Sequence, residues 1–225
     1  MLITGAHADE AAVRSTVQRM FPGSEAPTIA KTPVPGLFEA AVGGQIFYVT
    51  EDGGHLIGGP LIDTGTRRNL TETRLAQINK IPFDTLNTRL AITWVKGSGA
   101  RKLAIFEDPD CPYCKALEKT LKEIDDVTIL VFLFPIDQLH PEAAAKSRAV
   151  WCAPDRAKAW ADVMHAGVVP AGPAKCADPI AEIAAFARRH RINGTPTMVL
   201  ADGTRLVGAV PRAQLEAELQ RASKP

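Results

Sequence analysis

Asp110-Cys-Pro-Tyr-Cys-Lys115 decides the reading of this chain, because Cys111 and Cys114 enclose Pro112 and Tyr113 where strand-like sequence gives way to helix-like sequence. Before it, Lys102-Leu-Ala-Ile-Phe-Glu107 is a short apolar run of strand character. After it, Ala116, Leu117, Leu121 and Ile124 recur at helical spacing. Asp110 is expected to act as N-cap, and Pro112 suits an early helical position, where its missing N–H has no intrahelical partner. Cys111 then stands at the helix start, where unpaired backbone N–H groups and the positive end of the helix dipole favour a thiolate. It is the expected nucleophile. Cys114, inside the helix and less exposed, is placed to attack a mixed disulfide formed at Cys111 and release the bound partner.

A C-x-x-C pair is also half of a zinc site. The discriminating segment lies far downstream. Gly194-Thr-Pro-Thr197 opens the apolar run Met198-Val-Leu200, Ala201-Asp-Gly-Thr204 is a turn signal, and Arg205-Leu-Val-Gly208 is a second short strand, so the segment reads as a hairpin. This resembles thioredoxin-like proteins, in which an x-Pro before that hairpin is cis and lies against the C-x-x-C. Thr195-Pro196 matches it. An ordinary proline at the start of a strand is the plainer alternative.

With these motifs the chain resembles the DsbC/DsbG family of periplasmic protein disulfide isomerases from Asp9 to Leu219. Trp151-Cys-Ala-Pro-Asp155, Cys176 and Gly194-Thr-Pro196 are closer to DsbC, whereas the Pro112-Tyr113 dipeptide is more like DsbG. The fold this implies is α/β (α+β overall): a thioredoxin-like catalytic domain with a helical insertion, and a small α+β amino-terminal dimerisation domain joined to it by a helical linker. The expected boundaries are 1–8 for a tail, 9–62 for the dimerisation domain, 63–99 for the linker region and 100–225 for the catalytic domain.

Composition sets the remaining bounds. With 225 residues, of which 46% are hydrophobic, the chain has room for two modest domains. A formal net charge of +1 with interspersed signs gives no footprint for nucleic acid or an anionic membrane. No apolar run approaches the roughly 20 residues needed to span a bilayer. Of the four cysteines, Cys152 and Cys176 remain after the reactive pair, 24 positions apart. Counting alone leaves open two buried free thiols; the resemblance implies a structural disulfide, which favours an oxidising compartment, here the periplasm. Met1 to Ala8 lacks the basic start and apolar core of a secretory signal, so it reads as a cloning remnant or altered mature start, the export signal having been removed.

In the amino-terminal part, Val13, Val17, Met20 and Phe21 are helical in spacing, Pro22-Gly23 stops the helix, and three strands are expected over 36–42, 45–50 and 55–62. So thin a core favours oligomerisation. The resemblance implies a homodimer through this domain, with His55 to Asp63 as the pairing strand. Residues 63–94 are expected to form an amphipathic connector interrupted at Pro82. Beyond the C-x-x-C helix, the order is a strand over 127–134, helices over 142–151, 156–165 and 179–190, the hairpin, and a last helix over 211–222.

The expected activity is rearrangement of wrong disulfides in exported proteins, with Thr195 and Pro196 holding the substrate backbone beside the sulfur. The alternatives are a selective reductase of thiol oxidation products, including sulfenic acids, and a redox-independent holdase. The resemblance implies misfolded or oxidised proteins as substrates and a membrane thiol reductase of the DsbD type as electron donor. No cofactor or metal is expected, the five histidines having no mutual ligand spacing. Ile105 occupies the position where thioredoxin carries a buried aspartate, and the strand and turn positions of Glu107, Asp108 and Asp110 suit solvent-facing or capping roles as readily as catalytic ones, so none is assigned a proton role.

Overall fold

A computed structural model describes residues 5–171 and 175–224, with side chains from residue 10 onward. The chain divides into two units, Met1–Asn79 and Lys80–Pro225. Residues 1–4 of the expected tail lie outside the described residues, while the rest of it belongs to the first helix.

In the first unit, α1 (Gly5–Met20) precedes the antiparallel sheet β1 (Thr28–Lys31), β2 (Leu37–Val42), β3 (Gln45–Thr50) and β4 (Leu56–Ile57), in the order β1-β2-β3-β4. β5 (Ile62–Asp63) and β6 (Arg68–Asn69) form a separate ladder leading into α2 (Leu70–Ile78). Val13 and Val17 of α1 bury against Phe38, Ala40, Val42 and Val49. Alternation along β2 explains this, since Phe38, Ala40 and Val42 share one face. The single strand expected over 55–62 is broken into β4 and β5. Between them Gly58-Gly59-Pro60 offers no side chains to pack until the proline, and the proline has no N–H for a ladder. β1 was not foreseen.

The second unit contains β7 (Ile92–Lys96), β8 (Arg101–Glu107), α3 (Pro112–Leu121), β9 (Val127–Leu133), α4 (Ala143–Trp151), α5 (Arg156–Ala166), α6 (Ile180–Arg189), β10 (Thr197–Leu200), β11 (Arg205–Val207) and α7 (Arg212–Ala222). The sheet order is β11-β10-β8-β9-β7, with β8 and β9 parallel and the other pairs antiparallel. β8 is central and buried on both faces. Leu103 and Ile105 pack with Leu117, Leu121 and Trp160, while Ala104 and Phe106 pack with Phe132, Ile183 and Val199. That two-sided burial explains its unbroken apolar run.

The expected amphipathic connector is only partly helical. α2 belongs to the first unit, and the segment after Pro82 runs through two short 3-10 turns into β7. Ile92, Thr93, Trp94 and Val95 are β-branched or aromatic, and they pair along β9 from Ile92 with Val131 to Lys96 with Val127. No described helix is long and apolar enough to cross a membrane.

Candidate active site

β8 delivers the chain to a turn that Asp108 builds. Its backbone carbonyl accepts from Cys111 N–H at 3.2 Å, and its Oδ1 accepts from Asp110 N–H at 2.8 Å. Cys111, not Asp110, is the N-cap of α3, with Pro112 in the first turn. Asp110 instead receives Lys146 Nζ at 2.8 and 3.0 Å, so the expected cap is an ion-pair acceptor. Cys111 and Cys114 are both free thiols and both buried, Cys114 completely. Tyr113, between them, is 66% exposed.

The Thr195-Pro196 bond is cis, and the Cys111 thiol donates to the Thr195 carbonyl at 3.4 Å. The same segment is anchored from behind: Thr197 Oγ1 donates to the Gly194 carbonyl at 2.7 Å, and Gly208 N–H to the Pro196 carbonyl at 2.8 Å. Residues 84 positions apart in sequence therefore meet at one sulfur.

Behind the cysteines lies a feature the sequence reading missed. Glu107 is buried, and the two-residue period of β8 puts it on the face of Leu103 and Ile105, the face toward α3. From α3, Glu118 enters the same space on the buried stripe Cys114, Leu117, Glu118 and Leu121. Trp160 Nε1 donates to Glu118 Oε1 at 2.8 Å, and His165 Nε2 lies 3.7 Å from Oε2. Both oxygens of Glu107 and Oε2 of Glu118 have no donor among the described residues. Burial pushes the Glu107 carboxyl well above the usual carboxylate range, with the neighbouring Glu118 charge adding to it. Burial also raises Glu118, against the opposing Trp160 hydrogen bond. In both acids burial therefore favours the neutral, proton-bearing form over the carboxylate. Cys114 is driven far up by burial and then by Glu107, opposed by hydrogen bonds from the Asp108 backbone and the Thr195 side chain. Neither Glu107 nor Asp108 faces solvent: Glu107 is a buried core acid, whereas Asp108 caps the turn through its Oδ1 and its carbonyl.

Away from the cysteine pair, Cys152 and Cys176 are disulfide-bonded with Cα atoms 5.7 Å apart, and Trp151 Nε1 donates to the Ala177 carbonyl at 3.1 Å beside them. Among the described residues no group of three or more His, Cys, Asp or Glu is placed to hold a metal ion.

The thioredoxin-like domain pattern matches residues 88–223, and that of the disulfide bond isomerase protein N-terminal domain matches residues 4–72. A protein named probable thiol:disulfide interchange protein DsbC, from Bordetella avium, is 45% identical over 210 residues, covering 93% of this chain and 74% of the relative. The thiol:disulfide interchange protein DsbC of Escherichia coli is 30% identical over 223 residues, covering 97% and 91%. The chain belongs to the DsbC family. A disulfide interchange protein from Neisseria gonorrhoeae, known from its crystal structure, superposes on this DsbC-family chain with a TM-score of 0.59 and 42% identity, covering 62% of this chain and all of that one. Membership and the thioredoxin-like fold thus agree with the resemblance drawn from Cys111 to Cys114 and Thr195-Pro196.

Proposed function

We propose that this chain is a periplasmic protein disulfide isomerase that rearranges incorrect bonds in exported proteins, with Cys111 as nucleophile and Cys114 as resolving thiol. The Cys111 thiolate attacks one sulfur of a substrate disulfide. A Cys111–substrate bond forms, the substrate bond breaks, and the departing substrate sulfur takes a proton. That freed thiol, once deprotonated, attacks another substrate disulfide or the mixed bond itself, and Cys111 leaves as a thiolate with no net electrons consumed. In the slower escape route, Cys114 gives up its proton and attacks the Cys111 sulfur, releasing reduced substrate and leaving a Cys111–Cys114 disulfide. A membrane thiol reductase of the DsbD type restores the dithiol. Glu107, in its ionised form, is the buried acceptor for the Cys114 proton, and Thr195 and Pro196 hold the substrate backbone beside Cys111.

The observation that carries the isomerase reading over net reduction is the complete burial of Cys114 beside Glu107, which keeps the thiol protonated. A slow resolving thiol lengthens the life of the mixed disulfide and leaves time for the substrate's own thiol to act. The dimer forms through the amino-terminal unit, supported by the match of residues 4–72 to the isomerase amino-terminal domain.

Reactivation of a multi-disulfide protein carrying scrambled bonds tests this directly. The reduced wild type restores activity, Cys111→Ser abolishes it, and Cys114→Ser retains partial shuffling while accumulating mixed disulfides. Recovery undiminished in Cys111→Ser defeats the assignment. Rapid reduction of a sulfenylated protein without repair of scrambled bonds moves it to the selective reductase, and aggregation suppression alone to the holdase.

A further inference from the structure

The turn between β9 and α4 is tied to the nucleophile's own turn. Asp108, which already binds Asp110 and Cys111, turns its second carboxylate oxygen to this segment, accepting from Ile136 N–H at 2.7 Å and facing His140 Nδ1 at 3.0 Å. Leu139 and His140 N–H groups both close back onto the Ile136 carbonyl, at 2.8 and 2.9 Å, and Ala143 N–H onto the His140 carbonyl at 3.0 Å. A fully buried carboxylate is a costly way to fasten a surface turn. The turn it fastens ends in a leucine that packs on little, Leu139 being 68% exposed.

Single exposed hydrophobics need no explanation. The three most exposed large ones among the described residues of this unit, however, are Leu139 at 68%, Val207 at 67% and Tyr113 at 66%, and each belongs to a segment bonded at the same sulfur-bearing turn. Tyr113 follows Cys111 by two residues. Val207 pairs with Thr197, next to Pro196, and the Thr195 carbonyl accepts from the Cys111 thiol. Leu139 adjoins His140, whose ring meets the Asp108 carboxylate, and the Asp108 carbonyl accepts from Cys111 N–H. Three backbone segments, separate in sequence, are thus bonded into the surroundings of the Cys111 turn, and each carries one exposed apolar side chain.

We infer that Leu139 is a specificity-determining contact of the exchange reaction, gripping apolar residues that flank the attacked cysteine of a polypeptide disulfide. The occupant is an extended, apolar substrate segment continuous with the Cys111 and Thr195 site, and the inference rests on the exchange reading proposed above. Rigid presentation favours this role, since the turn is already ordered before substrate arrives and loses little freedom on binding.

The test uses the full chain in a Cys114→Ser background, where the mixed disulfide is trapped and its second-order rate of formation is read by mass spectrometry. Two disulfide peptides serve as probes, one with leucine and phenylalanine beside the cysteine, the other with serine and aspartate. Leu139→Ser should lower the apolar-to-polar rate ratio by roughly five- to tenfold, the scale expected for losing one large apolar contact. Leu139→Met should restore most of it. A ratio unchanged in Leu139→Ser, with the fold verified by circular dichroism, overturns the inference and leaves the exchange reading standing. Trapping of neither peptide by the Cys114→Ser parent overturns the exchange reading itself, and Leu139 with it.

Discussion

Glu107 and Glu118 are two acids in a core that gives them a single good donor, the Trp160 indole on Glu118 Oε1. For an acid whose folded-state pKa is raised, the neutral form is the stable one. Below the ordinary carboxyl pKa it carries no ionisation penalty, and stability is lost as the pH climbs from there through the raised folded value. Glu107→Gln removes that ionisable group and offers an N–H to the bare Glu118 oxygen. It should therefore stabilise the protein by about 1–3 kcal/mol near pH 8, and the gain should shrink toward zero as the pH falls to about 4. Urea unfolding across that range measures it; a gain that does not vary with pH would be inconsistent with a raised Glu107. Both residues were legible in principle. Glu107 continues the Leu103, Ile105 alternation, and Glu118 sits four residues after Cys114 on the helix stripe that also carries Leu117 and Leu121. What concealed them is the strong prior that a charged side chain near a turn faces water.

At the scale of elements, the strand–turn–helix around Cys111 and the hairpin after Pro196 could be read from sequence because period, turn residues and proline position agree there. β7 could not, because Ile92 to Lys96 follows a polar stretch with helical-looking spacing, and its pairing with β9 is a long-range fact. The turn of the hairpin shows a similar dependence on tertiary context. Gly203 has φ +82°, and a Cβ there would lie 2.9 Å from the Ile81 carbonyl oxygen. Gly203→Ala should cost about 1–3 kcal/mol in urea unfolding, from the left-handed backbone and the close approach together. The Cys152–Cys176 bond closes a separation of 24 residues between α4 and the start of the α6 region. Replacing both by alanine should cost about 3 kcal/mol if the loop-closure account holds. Scrambled-substrate repair at a temperature well below unfolding should persist, because the proposed exchange runs through Cys111 and Cys114 while these two sulfurs stay bonded to each other.

For the molecule as a whole, the two units share no sheet and no buried cluster among the described residues: β1 to β6 and one cluster belong to the first, β7 to β11 and two clusters to the second. The amino-terminal unit is the smaller, and its sheet ends in the two-residue strand β4, with Ile57 and Ile62 each about half exposed nearby. The proposed dimer uses this edge. Ile57→Lys with Ile62→Lys should shift the protein to half its mass in sedimentation, and it should depress scrambled-substrate repair more than it depresses reaction of Cys111 with a small disulfide. An unchanged sedimentation coefficient would place the interface elsewhere.

Lys80, where the second unit begins, is also where any pull from the preceding chain is applied. Its Nζ lies 3.5 Å from Asp202 Oδ2, and the next residue, Ile81, donates its N–H to the Gly203 carbonyl at 3.0 Å. Asp202 is held in turn by Arg221 at 2.8 Å. The tether is thus fastened to the tip of the hairpin, braced by the last helix, and not to an outlying strand. Tension arriving at residue 80 runs into β10, whose other end is the peptide bond facing Cys111. In mechanical terms the hairpin is a lever: its handle is the attachment point at residue 80 and its working end is the ledge proposed to carry the substrate.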